Sequence, residues 1–137
     1  MKDDIVSMQK DIVASFRGLD DWLDRYDLLV SSGRELPPFP DEERNDENAI
    51  SGCQSNVWIK MGIENGRMTI SADSDAAITK GILALLIKVL ADRTPQEVAE
   101  SDLFFIDETG LGTNLSPSRS DGLRIIIKTI RDFARSN

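Results

Sequence analysis

Apolar residues near the start of the chain recur as Ile5, Met8, Ile12 and Phe16, a spacing that places them on one face of a helix. The pattern predicts a helix over residues 3 to about 16. A second amphipathic helix is expected from Leu19-Asp20. Asp20 and Asp21 suit its first turn, where the helix dipole favours negative charge, and Trp22, Leu23, Tyr26, Leu29 and Val30 form its apolar face. Gly33 is the expected stop. Leu36-Pro37-Pro38-Phe39-Pro40 must then run extended, because each proline disfavours helix in the residue before it. The acidic run from Asp41 to Glu47 reads as a solvated loop or a single turn.

Beyond Glu47 the period changes to two. Asn48-Ala49-Ile50 is expected as a short strand leading into a turn at Ser51-Gly52-Cys53-Gln54. Val57, Ile59 and Met61 alternate with Trp58 and Lys60, and Met68, Ile70 and Ala72 alternate on a return strand. Asn65-Gly66 between them is the signal of a two-residue hairpin. Asp73-Ser74-Asp75 is expected to cap a helix from Ala76 to Ala91, apolar nearly all round and therefore central to the core. Thr94-Pro95-Gln96-Glu97 has the form of a capping box and predicts a short helix. A last helix opens at Ser116-Pro117, with Leu123, Ile126, Ile127, Ile130 and Phe133 on its apolar face. The predicted fold is α+β: a three-stranded antiparallel sheet packed by N-terminal, central and C-terminal helices, in a single domain spanning residues 1–137.

Composition narrows the function classes. The net charge of −8 opposes a general affinity for nucleic acid, since phosphate contacts need basic surface. With no histidine, the usual general base, the commonest metal ligand and any Cys-His or Ser-His pair are missing. Lys80 and Lys88 interrupt the longest apolar stretch, which is also shorter than the roughly 20 residues a membrane span requires. Met1-Lys2-Asp3-Asp4-Ile5 has neither the basic flank nor the apolar run of a signal peptide. One cysteine cannot form an internal disulfide, which fits a reducing compartment. The expectation is a cytoplasmic protein, a monomer or weak homodimer, engaging neither nucleic acid nor membrane.

Candidate chemistry centres on Cys53. The positions two and three residues on hold Ser55 and Asn56, so there is no paired-cysteine redox or metal motif. A phosphatase-like loop would carry arginine six residues after the cysteine, where Ile59 stands. Cluster ligation needs several thiolates, and no phosphate-binding glycine loop is present. What remains is exchange at a single thiol, with a partner supplying the rest of the machinery. Sulfur transfer through a persulfide has this form. The competing readings are an adaptor with an inert, buried cysteine and, less well supported, a peroxide-sensing thiol, which would want a resolving cysteine.

Four blocks in order make the chain resemble the SufE family, sulfur acceptors that work with a cysteine desulfurase in iron–sulfur cluster assembly. They are Gly33-Arg34-Glu35-Leu36-Pro37; Gly52-Cys53-Gln54-Ser55-Asn56-Val57-Trp58; Asp73-Ser74-Asp75-Ala76-Ala77-Ile78 with Gly81; and Leu115-Ser116-Pro117-Ser118-Arg119-Ser120-Asp121-Gly122-Leu123. The resemblance implies a fold similar to the IscU-like iron–sulfur scaffolds, without their metal-binding residues. It implies that Cys53 is the sulfur-accepting residue, on a loop that includes Ser51, Gly52 and Gln54, with its side chain tucked into an apolar hollow. Asp75 and Arg119 would lie near that loop. A cation in the first turn of a helix is electrostatically disfavoured, so Arg119 needs a partner elsewhere, and an Asp75–Arg119 contact holding the loop is the expectation. The alternative for Asp75 is a simple helix cap. Asn114 stands where many relatives carry histidine, and Asn56 where glutamine is common, so roles attached to those residues do not transfer. The implied partners are a SufS-like cysteine desulfurase and a SufBCD-like scaffold complex. No cofactor or metal is expected on this chain, the pyridoxal phosphate belonging to the desulfurase. A paralogue serving another desulfurase and another sulfur pathway, such as tRNA modification, is the alternative within the family.

Overall fold

The computed structural model of the chain describes residues 4–52, 55–111 and 117–137, without the side chains of residues 117–119. Helix α1 (Ile5–Arg17) starts at Asp4, whose carboxylate accepts from the Ser7 N–H at 2.7 Å, and buries Ile5, Ile12, Val13 and Phe16. Helix α2 (Trp22–Arg34) starts at Asp21, whose carboxylate accepts from the Leu23 N–H at 3.0 Å. Both caps satisfy N–H groups that the first turn of a helix leaves without internal partners.

Gly33 does not stop α2, contrary to the sequence reading. It lies inside the helix, buried, where a Cβ would come within 2.9 Å of the Gly81 amide nitrogen. Gly81 in turn faces Leu29, and a Cβ there would sit 2.2 Å from the Leu29 carbonyl oxygen. The two glycines let α2 and the central helix approach backbone to backbone, and the helix ends one residue later at Arg34.

The hairpin forms as its alternation predicts. Strands β1 (Val57–Glu64) and β2 (Arg67–Ser74) pair antiparallel from Val57↔Ser74 to Glu64↔Arg67. Asn65 and Gly66 both take positive φ, 54° and 77°, as the two-residue turn requires. The inward residues Val57, Ile59, Met68, Ile70 and Ala72 enter the core.

Among the described residues the sheet has two strands, where the sequence predicted three. Asn48-Ala49-Ile50 contributes a single bridge, Ala49 to Trp58, with bonds from the Ile50 N–H to the Val57 carbonyl and from the Ile59 N–H to the Asn48 carbonyl, each 2.9 Å. It cannot extend into a ladder. On its N-terminal side Asn48 is held in a turn by the Asn45 side chain and the Glu43 carbonyl, and on its C-terminal side the chain turns again at Ser51-Gly52.

Helix α3 (Ala77–Leu90) packs on β2 and on α2, and Leu83, Leu86, Val89 and Leu90 on it are almost wholly buried. Helix α4 (Pro95–Glu100) carries the predicted capping box: the Thr94 hydroxyl accepts from the Glu97 N–H, and the Glu97 carboxylate accepts from the Thr94 N–H. A one-turn helix, α5 (Phe105–Glu108), follows. Its start is tied to α1 by Gln9, 0% exposed, which donates to the Asp102 carbonyl at 2.9 Å and accepts from the Phe105 N–H at 3.1 Å. Helix α6 (Pro117–Arg135) packs on α4 and buries Leu123, Ile126, Ile130 and Ala134. Among the described residues no helix is long and apolar enough to cross a membrane.

Candidate functional site

The residues on either side of Cys53 belong to a turn that closes on itself. The Ile50–Val57 bond ties its base, so residues 51–56 leave and rejoin the sheet at one point. Cys53 and Gln54 lie outside the described residues, as does the side chain of Arg119. The expected hollow around the thiol and the expected Asp75–Arg119 contact therefore lie outside them too. Arg119 itself falls in the first turn of α6.

The two limbs of the turn are held differently. On the C-terminal limb, Asn56 is clamped by the junction between β2 and α3. Its N–H donates to Asp75 Oδ1 at 3.1 Å, and its side-chain amide donates to Asp75 Oδ2 at 2.8 Å. Its carbonyl accepts from the Ser74 hydroxyl at 2.7 Å and from the Asp75 N–H at 3.4 Å. One residue earlier, Ser55 Oγ and Thr79 Oγ1 share a hydrogen bond of 3.2 Å. On the N-terminal limb Ser51 and Gly52 are exposed. Gly52 has φ +90°, in the region that favours glycine, and a Cβ there would come within 2.8 Å of Ile125 Cδ1 on α6. The turn thus rests on α6 at one limb and is bonded to β2 and α3 at the other.

These contacts correct the expected cap. Helix α3 begins after Ala76, which makes no side-chain cap; the Ser74 hydroxyl accepts from the Ala76 N–H at 3.2 Å. Asp75 remains exposed and spends both carboxylate oxygens on Asn56. Its role is to hold the stem of the cysteine turn.

A second charged group braces the same end of the sheet. Asp73, 6% exposed, accepts from Arg44 Nε at 2.8 Å and pairs with Lys80 Nζ at 3.5 Å. Burial pushes its carboxyl upward, but the Arg44 hydrogen bond, the Ser74 backbone N–H and the charges of Lys80 and Arg44 outweigh it and hold the group below the usual carboxylate range. Arg44 also pairs with Asp41 and lies over the Phe39 ring. Lys60 meets Glu43 at 2.7 Å; that hydrogen bond, with the attraction of the Lys60 charge, lowers the Glu43 carboxyl. The acidic run is accordingly no free loop: it is fastened to the sheet beside the turn. Sequence reasoning missed Arg44, although a lone cation inside that run was a visible signal. Among the described residues no three His, Cys, Asp or Glu side chains gather as a metal site.

Fold and site define a small α+β domain that presents one thiol-bearing turn from a braced sheet end. The chain belongs to the SufE family. The family model described as "Fe-S metabolism associated domain" matches residues 10–134. An uncharacterised SufE-like protein of Rhizobium etli is 39% identical over 129 residues, which cover 90% of this chain and 87% of that relative. The solution structure of a hypothetical protein from Thermus thermophilus superposes with a TM-score of 0.77 at 22% identity, covering 94% of each chain, a likeness in fold.

Proposed function

We propose that the protein is a sulfur acceptor and carrier that takes persulfide sulfur from a cysteine desulfurase onto Cys53. The observation that carries this reading is the Gly-Cys-Gln-Ser turn, held at its stem by Asn56 and Asp75, in a chain of the SufE family. The Cys53 thiolate attacks the outer sulfur of the donor persulfide. A new S–S bond forms at Cys53, the S–S bond of the donor breaks, and the donor cysteine leaves as a thiolate. No oxidant or reductant enters. The pyridoxal phosphate that frees sulfur from cysteine belongs to the desulfurase, and this chain carries no cofactor. It acts as an accessory protein completing half of a transfer reaction.

The roles of the neighbouring residues follow from the stem. Ser51 and Gly52 form the exposed limb that a docking partner meets, and Gln54 adjoins the thiol in sequence. Asp75 keeps the other limb seated through Asn56, and Arg119, in the first turn of α6, is the second polar residue that the family resemblance puts near the loop. The delivered sulfur serves iron–sulfur cluster assembly, through a scaffold complex of the SufBCD type.

The test is Cys53→Ser, assayed with a cysteine desulfurase from the same organism and labelled cysteine. The variant should take up no label and should lose stimulation of desulfurase turnover. Label on the serine variant at the level of the unsubstituted protein would end the proposal.

A further inference from the structure

Thr79 is the one residue with a hydrogen-bonding side chain among the buried residues of α3; its companions are Gly81, Ile82, Leu83, Leu85, Leu86, Val89 and Leu90. A threonine in a helix commonly bonds back to the carbonyl four residues earlier. Thr109 and Thr129 do so here, to Phe105 and Ile125 at 2.7 and 2.8 Å. Thr79 does not. At 9% exposure, its hydroxyl pairs among the described residues with Ser55 Oγ alone, across 24 positions of sequence. A buried hydroxyl left without a partner is costly, so Thr79 depends on the turn staying where it is, and the turn is held by Thr79.

We propose that Thr79 is a positioning residue for Cys53, acting through Ser55 to fix the limb of the turn that follows the thiol. The inference rests on the reading of Cys53 as a sulfur acceptor and adds to it a determinant on the helix behind the turn. Asn56 and Asp75 hold the stem by its backbone and by an exposed carboxylate. The Ser55–Thr79 pair lies one residue nearer the thiol and is partly shielded from water. Loss of this one neutral hydrogen bond frees Ser55 and lets the adjoining residues sample more positions.

The experiment uses the full chain and measures the rate at which iodoacetamide labels Cys53 across a pH series, with melting followed in parallel. Thr79→Val keeps the shape of the side chain and removes the hydroxyl; it should speed labelling roughly two- to tenfold, the range set by one neutral hydrogen bond. Ser55→Ala, which leaves the helix untouched, should do the same, and the double variant should go no further. Thr79→Ser should label like the unsubstituted protein. Unchanged labelling in Ser55→Ala, additive effects of the two substitutions, or Thr79→Ser behaving like Thr79→Val would each overturn the proposal. Labelling needs no sulfur donor, so the two readings fail separately. An unmoved rate removes the Thr79 role and leaves the acceptor, whereas failure of Cys53 to take sulfur removes the acceptor and leaves the pin.

Discussion

At the scale of single residues, three positions have duties their residue types alone do not reveal. Asp75 sits where an N-cap is expected, yet both its oxygens go to Asn56. Asn56 is just long enough for its amide to reach Asp75 while its own N–H does the same. Gly81 is set by the opposite constraint, the absence of a side chain, because α2 passes so close that a Cβ would meet the Leu29 carbonyl. Gly81→Ala must push two packed helices apart, and overpacking of this kind costs about 1–3 kcal/mol. Urea unfolding should show an unfolding free energy lower by that amount, seen as a lower midpoint with little change in slope; a midpoint equal to that of the unsubstituted protein would mean that the helices are not in backbone contact.

At the scale of elements, the hairpin and every helix but the one-turn α5 were legible because each carried its own period. The Asn-Gly turn and the Thr94–Glu97 capping box formed as read, since both depend on residues close in sequence. The failures share a different cause. Gly33 reads as a helix stop because its actual role depends on Gly81, far along the chain. The third strand is expected from Asn48-Ala49-Ile50, but side-chain bonds at Asn48 and the turn at Ser51-Gly52 leave it one bridge long. Arg44 stands out in the sequence as a lone cation in an acidic run, but its partner Asp73, 29 residues away, could not be read from it. Of the candidate site, the turn at Ser51-Gly52 could be read in the sequence; the bonds of Asp75 to Asn56 and of Thr79 to Ser55 could not, because both join distant segments. The Asp73 brace predicts a pH dependence. Its carboxyl lies lower in the folded chain than in the unfolded one, where it is about 3.9. Its contribution is therefore complete above the unfolded value and is lost as pH falls through the folded one. Stability measured from pH 7 down into the acid range should fall less steeply for Asp73→Asn than for the unsubstituted protein, and parallel curves would show that Arg44 and Lys80 do not favour the charged form.

At the scale of the whole molecule, the helices back the sheet, and the cysteine turn is mounted on one end of it. The anchors of its described residues come from the β2–α3 junction, from α3 itself and from α6, so the turn is positioned by most of the fold. The net charge of −8 is unevenly spread, with an acidic N-terminal half and a basic last helix. A general affinity for nucleic acid would need basic surface, which a net charge of this sign opposes. That architecture suits a carrier whose reaction is completed by a second protein. The most direct measurement is mass spectrometry of the intact chain and of its peptides after incubation with a cysteine desulfurase and free cysteine. The account predicts a gain of about 32 Da, one sulfur atom, on the peptide containing Cys53, removable by a thiol reductant. A Cys53 peptide of unchanged mass, with the desulfurase active in the same tube, would contradict it.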